Sequence, residues 1–351
     1  MATTRMPKIT AVDLFCGVGG LTHGLAKSGI SVKAGIDIES SCRYAYEANN
    51  KAKFIEADVE DLSSGSLAEL FAGAELSLLA GCAPCQPFSS YSQGDRGRAG
   101  SNDWRLLQSF GRLVREVQPD LVTMENVPQL HKHEIFDGFL KDLKGYAVKW
   151  GVVECMGIGI PQARKRLVLI ASRLGDEYLE IPAPTKNQRT VRQTIEALPR
   201  LSAGERHPED PLHSAPALSD TNMKRIRASV PGGTWRDWDP SLRAACHVKE
   251  TGATYPSVYG RMEWDKPSPT ITTQSFGYGS GRFGHPEQDR AISLREAAML
   301  QTFPRNYKFV GPDEIPRFNV LGRLIGNAVP VDLAKSIGKI LIKHAAAYGT
   351  Q

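Results

Sequence analysis

Short apolar runs alternate with amphipathic stretches through the first half of the chain. A run ends near Asp58, and others occur at ITAVDLF (9–15), SVKAGID (31–37), LSLLAG (76–81), DLVTMEN (120–126) and KRLVLIAS (165–172). The segments between them carry apolar residues at helical spacing, as in WRLLQSFGRLVREV (104–117). Repeated units of this length predict an α/β fold with a doubly wound, mostly parallel sheet covered by helices on both faces.

The pattern becomes irregular from about residue 174, where Pro-, Ser- and charge-rich segments such as LSAGERHPEDPLHSAPALSD (201–220) appear. Helical spacing returns in SLREAAMLQTF (293–303) and VDLAKSIGKILIKHAAAYG (331–349). We therefore expect a first domain over 1–173 and a smaller irregular domain over 174–266. The segment 267–351 is expected to complete the second domain and return to the first.

Composition fits an ordinary soluble globular protein, with 41% hydrophobic and 23% charged residues in a chain of 351. The net charge of +5 permits a polyanionic partner without requiring one. No apolar run approaches the roughly 20 residues of a membrane span, and the first residues, MATTRMPKIT, lack the apolar core of a signal peptide. We expect a cytoplasmic protein without membrane association.

Two of the six cysteines, Cys82 and Cys85, have the spacing C-x-x-C. This spacing is compatible with a metal clip, a redox pair or one reactive thiol beside a bystander. No second pair with metal-ligand spacing exists in the sequence, so we expect no metal. A thioredoxin-type pair opens a helix, whereas Pro87 and Ser89 indicate a loop after Cys85.

A glycine-rich turn follows the first predicted strand in DLFCGVGG (13–20). Gly17, Gly19 and Gly20 would let a nucleotide-like cofactor approach the backbone and the start of the next helix. Asp37 ends the second strand, where it suits ribose hydroxyls, and Asp58 ends the third, where it suits an adenine amino group. The spacing departs from the dinucleotide pattern G-x-G-x-x-G, so a plain tight turn is the alternative.

Five motifs in fixed order carry a resemblance to a known family: DLFCGVGG, APCQPFS, MENV, QARKR and IGNAVP. They resemble the signature blocks of the DNA cytosine-5 methyltransferases of prokaryotic restriction-modification or orphan type, over about 9–172 and 267–340. The resemblance implies a Rossmann-like enzyme that flips a cytosine out of duplex DNA. It also implies methyl transfer from S-adenosyl-L-methionine to carbon 5.

The chemistry of the reaction explains which residues such an enzyme needs. Carbon 5 of cytosine is a poor nucleophile until a thiolate adds to carbon 6 and makes carbon 5 an enamine carbon. Cys85, after Pro84, corresponds to the family's nucleophile. Cys82 stands in GCAPCQ, where GGPPCQ is commoner, and we interpret it as a buried apolar filler.

The other catalytic candidates are Glu125, Arg164 and Arg166. Glu125 of MENV would give or share a proton at ring nitrogen 3. By resemblance, Arg164 reaches the cytosine carbonyl oxygen, and Arg166 supplies further positive hydrogen-bond donors. Residues 89–104 resemble the family's closing loop, in which Arg96 and Arg98 would meet phosphates.

The resemblance also implies a cofactor pocket built from several of the motifs. It comprises Phe15, Gly17, Gly19, Gly20, Asp37, Ile38, Asp58, Leu106 and Asn327. Residues 174–266 occupy the place of a target-recognition domain, with the candidate DNA contacts Arg225, Arg227, Trp235, Arg236, Arg243 and His247.

The expected partner is double-stranded DNA, bound by a monomer, with a cognate restriction endonuclease as a functional partner. Three alternatives remain. A tRNA cytosine-5 methyltransferase would share the fold and the chemistry. A nicotinamide oxidoreductase would leave Cys85 and Glu125 unused, and an inactive DNA-binding module would not need them.

Overall fold

A computed structural model describes residues 7–84, 104–185, 187–249, 252, 254–312 and 314–348. The chain divides into two compact units. The first comprises 1–154, 165–184 and 329–351, and the second comprises 155–164 and 185–328. The second unit includes 155–164, which was not expected, and its main part begins at 185 and not at 174. Residues 267–328 belong to the second unit and 329–351 to the first, as expected for a segment that completes both.

The described strands are β1 (Ile9–Leu14), β2 (Ser31–Asp37), β3 (Lys53–Glu56), β4 (Leu76–Gly81), β5 (Leu121–Asn126), β6 (Ala147–Glu154), β7 (Gln162–Ala163), β8 (Lys165–Ser172) and β9 (Ser268–Pro269). The described helices are α1 (Gly20–Ser28), α2 (Arg43–Asn49), α3 (Ser64–Leu70), α4 (Arg105–Val117), α5 (Glu134–Asp142), α6 (Val191–Ile195), α7 (Asp220–Ala228), α8 (Leu294–Leu300), α9 (Phe318–Asn327) and α10 (Val331–Tyr348).

The first unit is built on a sheet with the strand order β3-β2-β1-β4-β5-β8-β6 among its described residues. Its strands are parallel except β8, which runs antiparallel to both β5 and β6. The predicted α/β class with a mostly parallel sheet is confirmed. The sequence pattern missed β6, because this edge strand leaves Trp150 and Val152 exposed and has no continuous apolar run.

Apolar side chains on one face of the sheet form the main core with α4 and α5. Leu14, Leu79 and Met124 come from three adjacent strands and pack with Phe110 of α4 and Phe139 of α5. Each is almost fully buried, which contributes about 1.5–3 kcal/mol per side chain. Helices α1 and α10 pack together, so the C-terminal helix belongs to the first unit.

The parallel strands β1, β4 and β5 all end at the same edge of the sheet, at Leu14, Gly81 and Asn126. The chain segments that follow these residues are therefore brought together. A Cβ on Gly81 would lie 3.0 Å from the ring of Phe110 and 3.2 Å from the carbonyl oxygen of Leu14. Because glycine has no side chain, the end of β4 can pack closely against the end of β1 and against α4.

The second unit contains short helices, the two-residue pairing of β7 with β9, and a buried ion pair. Both terminal nitrogens of Arg290 lie 2.7 Å from the carboxylate of Glu296. Burial alone raises the pKa of Glu296, but the charge and hydrogen bonds of Arg290 lower it to about 2. Burial lowers the pKa of neighbouring His285 to about 4, so His285 is neutral at physiological pH.

We predict that Glu296→Gln destabilises the protein by about 3–5 kcal/mol at neutral pH, because Arg290 is left buried without its counter-charge. The pKa of Glu296 in the folded state lies below its ordinary value, so its stabilising effect is present at neutral pH and is lost as the pH falls from about 4.5 to 2. Urea unfolding followed by tryptophan fluorescence measures both effects.

The matched control is Glu196→Gln, which breaks an exposed pair with Arg192 and should change stability by less than about 1 kcal/mol. Equal losses from the two variants, or a Glu296→Gln variant as stable as the wild type, would contradict this account of the buried pair.

Candidate active site

Glu125 is a carboxylate buried at the end of β5. Its side chain is 3% exposed, and the strand around it is buried along its whole length. A charged carboxylate in such a place is costly unless a counter-charge or hydrogen-bond donors compensate it. The contacts of its two oxygens therefore define what Glu125 can do.

Arg166 supplies the counter-charge from β8. Its Nε lies 2.8 Å from Oε1 of Glu125, and its side chain is only 14% exposed. The N–H group is not directed at this oxygen, and Oε1 has no hydrogen-bond partner among the described residues. The ion pair thus stabilises the carboxylate while Oε1 keeps its capacity to share a proton with another group.

Cys82 contacts the other oxygen of the same carboxylate. It lies directly after β4, and its Sγ is 2.9 Å from Oε2 of Glu125. Cys82 is half-buried. The interpretation of this residue as a buried apolar filler is therefore wrong, because its thiol is a hydrogen-bond donor to the candidate acid.

Asn126 connects the end of β5 to the chain that leads towards Cys85. Its Nδ2 donates to the carbonyl oxygen of Ala83 at 3.0 Å, and its Oδ1 accepts from the N–H of Val127 at 2.8 Å. The expectation that Asn126 holds local backbone is confirmed. Cys85 and most of the candidate closing loop, with Arg96 and Arg98, lie outside the described residues.

The glycine turn between β1 and α1 has backbone conformations that favour glycine. Gly17 has φ +49° and Gly19 has φ +87°, in the left-handed region. Phe15 shares this region at +57°, which is a strained conformation for a bulky residue. Apart from the two neighbours of Gly17 in the chain, no described residue has an atom within 4 Å of the position that a Cβ on Gly17 would take, so one side of the turn is open.

The two acidic residues expected in the pocket are Asp37, which ends β2 and contacts this turn, and Asp58, which lies two residues after β3. Asp37 accepts from the N–H of Gly17 at 2.8 Å and from the N–H of Glu39 at 2.9 Å. Ile38, directly after β2, is 66% exposed. Asp58 is half-buried and accepts from the N–H of Glu60. An exposed apolar side chain next to the Asp37 carboxylate suits the base and ribose of a nucleoside.

Asp13, which the motif analysis did not single out, holds the strand before the glycine turn to the helix after it. Its Oδ2 accepts from the N–H and the hydroxyl of Thr22, at 3.1 and 2.7 Å, and so joins β1 to α1. Burial raises the pKa of Asp13 to about 7, against the effect of the Thr22 hydrogen bonds. A polar residue inside an otherwise apolar strand was the signal available in the sequence.

The family model of C-5 cytosine-specific DNA methylases matches residues 9–343. The chain belongs to this family. The matched range includes Glu125, Arg166, the glycine turn and Cys85. The methylase is thus an enzyme that acts on carbon 5 of cytosine in DNA.

Similar proteins include bacterial methylases that match over nearly the whole chain. The Type II methylase M.HgiDII of Herpetosiphon aurantiacus is 52% identical, over 93% of each chain. The Type II methyltransferase M1.HphI of Haemophilus parahaemolyticus is 31% identical, over 95% of this chain and 87% of its own. The solved structure of a DNA modification methyltransferase from an E. coli prophage shares the fold, with a TM-score of 0.71 and 22% sequence identity. The match covers 96% of this chain and 99% of that chain.

Arg164 of the methylase does not lie where the sequence interpretation assigned it. It is 3% exposed, and its guanidinium donates to the carbonyl oxygens of Ile271 at 2.9 Å and Gly326 at 3.1 Å within the second unit. The expected contact to a cytosine oxygen is wrong for this geometry, because the side chain is used to hold backbone. Arg166 is the arginine that contacts Glu125.

The positions of two further residues of the expected cofactor pocket do not test their assignment to it. Leu106 lies in the first turn of α4 and is half-buried. Asn327 is the last residue of α9 and is exposed, in the second unit. Their assignment to the pocket stays a prediction.

Two of the candidate DNA contacts are core residues of the second unit. Trp235 and His247 are 5% and 4% exposed and stack at 4.5 Å between ring centroids. The guanidinium groups of Arg236 and Arg243 lie over the Trp235 ring, at 5.4 and 5.9 Å. The aromatic pair therefore supports these arginines and is too buried to contact base edges itself.

The remaining two candidates also have partners within the second unit. Arg225 donates to the carbonyl oxygen of Leu242 at 2.8 Å, and Arg227 forms an exposed pair with Asp289 at 3.3 Å. An exposed pair of this kind is weak and can exchange for a phosphate at little cost. Contact of either arginine with DNA stays a prediction.

Among the described helices, none is both long enough and apolar enough to cross a membrane. No three His, Cys, Asp or Glu side chains in the described part of the chain are grouped to hold a metal ion. A metal-free site stays a prediction, since Cys85 lies outside that part.

We predict that Arg164→Lys mainly lowers stability and that Arg166→Lys mainly lowers activity. Lysine at 164 cannot donate to both carbonyl groups, so unfolding free energy should fall by about 1–3 kcal/mol. Lysine at 166 keeps the charge beside Glu125 but loses the planar donor group, so methyl transfer should fall at least about tenfold with a smaller loss of stability.

Urea unfolding and a tritium-transfer assay on duplex DNA separate the two effects. If Arg166→Lys has wild-type activity, or if Arg164→Lys loses activity without losing stability, the assignment of roles to these arginines is contradicted.

Proposed function

We propose that the methylase transfers the methyl group of S-adenosyl-L-methionine to carbon 5 of a cytosine flipped out of duplex DNA. One observation carries this proposal: Glu125 is buried and charge-compensated by Arg166, while its Oε1 has no hydrogen-bond partner among the described residues. A carboxyl group in this state is suited to share a proton with ring nitrogen 3 of the base.

The residues around the glycine turn fit the proposed cofactor. Gly17 leaves open space beside the backbone, and the exposed side chain of Ile38 offers an apolar surface for adenine. Asp37 and Asp58 offer carboxylate oxygens for the ribose hydroxyls and the adenine amino group. When bound, S-adenosyl-L-methionine supplies an electrophilic methyl group.

Cys85 is proposed as the nucleophile. Its thiolate forms a bond to carbon 6 of cytosine, and the electron pair displaced from the 5,6 double bond makes carbon 5 nucleophilic. The carboxyl group of Glu125 gives or shares a proton at ring nitrogen 3 during this step, so that negative charge does not accumulate on the ring. After methyl transfer, a base removes the proton at carbon 5 and the thiolate leaves.

Asn126 and Arg166 are proposed to set the geometry of these groups. Asn126 binds the carbonyl oxygen of Ala83, two residues before Cys85 in the sequence, and therefore holds the chain that follows β4 to the end of β5. Arg166 holds the Glu125 carboxylate and offers further donors to the cytosine carbonyl oxygen. Positioning of this kind accounts for a large part of most enzymatic rate accelerations.

The second unit is proposed to read the DNA sequence, with Arg236 and Arg243 as the charged groups on its aromatic cluster. We propose that the enzyme acts as a monomer in the cytoplasm, and that a restriction endonuclease is its functional partner. The 52% identity to a Type II methylase supports the last of these.

We predict that Cys85→Ser abolishes methyl transfer and leaves DNA affinity within about threefold, because an alcohol is a far weaker nucleophile than a thiolate. Duplex DNA with 5-fluorocytosine should trap a covalent adduct on the wild type, since the fluorine at carbon 5 cannot leave as a proton does. Mass spectrometry of the adduct should locate it at Cys85.

The control is Cys42→Ser, at a buried cysteine that directly precedes α2, which should keep adduct formation. The same assay with tRNA in place of duplex DNA tests the alternative substrate. An adduct on another residue, or methylation of tRNA and not DNA, would refute the proposal.

A further inference from the structure

The Cys82 thiol occupies a position from which it can control the Glu125 carboxylate. Its Sγ lies 2.9 Å from Oε2, and Arg166 lies at Oε1, so the two oxygens have different neighbours. The charged or titratable groups that contact the two oxygens are thus the guanidinium of Arg166 and the thiol of Cys82. Arg166 comes from β8 and Cys82 from the end of β4.

The short distance requires a proton between the two groups. A thiol and a carboxyl group at 2.9 Å cannot both be anionic without strong repulsion, so one proton lies on the line between Sγ and Oε2. The thiol is the donor in this contact and Oε2 is the acceptor, which leaves Oε1 outside the hydrogen bond.

The backbone of Cys82 is fixed on both sides. Its N–H donates to the carbonyl oxygen of Leu14 at 3.4 Å, and the next residue, Ala83, is bound by Asn126. The thiol is therefore presented to Glu125 from an anchored segment, and the hydrogen bond loses little conformational freedom when it forms.

The hydrogen bond from Cys82 matters because rotation about the last side-chain bond of a glutamate, χ3, has only a weak preference for any one angle. The ion pair with Arg166 attracts the carboxyl group but includes no hydrogen bond to Oε1, so it does not fix the rotation of the group about χ3. A hydrogen bond at Oε2 selects one rotation and keeps Oε1 as the oxygen that remains available. A glycine at this position would have no group that could do this.

We infer that Cys82 is a positioning residue for Glu125: the Cys82 thiol donates to Oε2, so that Oε1 is the oxygen that gives or shares a proton at ring nitrogen 3 of the target cytosine. This inference rests on the proposed function. It assigns Cys82 no contact with DNA or with the cofactor, so its effect should appear in the chemical step alone.

The test is the single-turnover rate of methyl transfer with saturating duplex DNA and S-adenosyl-L-methionine. Cys82→Ala and Cys82→Gly should each lower this rate about tenfold, because the donor is lost, with DNA and cofactor affinities unchanged. Cys82→Ser keeps a donor and should stay within about threefold of the wild type. The control Cys42→Ala, which removes a buried thiol elsewhere, should stay within about twofold.

A double-mutant cycle separates positioning from packing. In a Glu125→Gln background, Cys82→Ala should cause no further loss, because the group that Cys82 positions has lost its function. Equal losses in both backgrounds, or a Cys82→Ala variant with the wild-type rate, would overturn the inference.

The outcome also distinguishes this inference from the proposed function. A wild type that forms no 5-methylcytosine refutes both. An active wild type with an unaffected Cys82→Ala variant refutes only the role of Cys82.

Discussion

The ion pair between Glu125 and Arg166 is the interaction on which the rest of the site depends. The side chain of Glu125 is 3% exposed at the end of β5, and the guanidinium of Arg166 lies 2.8 Å away as its counter-charge. The geometry of the pair leaves Oε1 without a directed hydrogen bond. The protein thus holds a buried acid in place while sparing the oxygen that the chemistry requires.

The sheet topology makes this arrangement possible. Parallel strands bring the ends of β1, β4 and β5 to one edge, which places Cys82 beside Glu125. The antiparallel strand β8 is the departure from a purely parallel sheet, and its second residue is Arg166. Had β8 run parallel to β5, Arg166 at its start would lie at the opposite edge from Glu125.

Much of the fold followed from the sequence because buried parallel strands are continuous apolar runs. The starts and ends of β2, β4 and β8 agree with the predicted segments, whereas the half-exposed edge strand β6 gave no such run. Glu125 and the glycine turn were identifiable from their motifs. Their contacts were not, because hydrogen-bond direction depends on side-chain rotation, which no sequence pattern encodes.

The two arginines of QARKR and the first cysteine of GCAPCQ show where sequence reasoning failed. Spacing alone cannot distinguish Arg164, which precedes β8 and binds backbone carbonyl groups, from Arg166, which lies within β8. Cys82 lies in a segment of small residues, which predicts a packing role. Its contact with the Glu125 carboxyl group on the neighbouring strand could not be predicted from the sequence.

The most direct test of the central claim is the single-turnover rate of methyl transfer to duplex DNA by Glu125→Gln. Glutamine keeps the shape of the side chain but cannot give or share the proton, so the account predicts a loss of about a hundredfold or more with DNA affinity retained. A Glu125→Gln variant that transfers the methyl group within about twofold of the wild-type rate would contradict it.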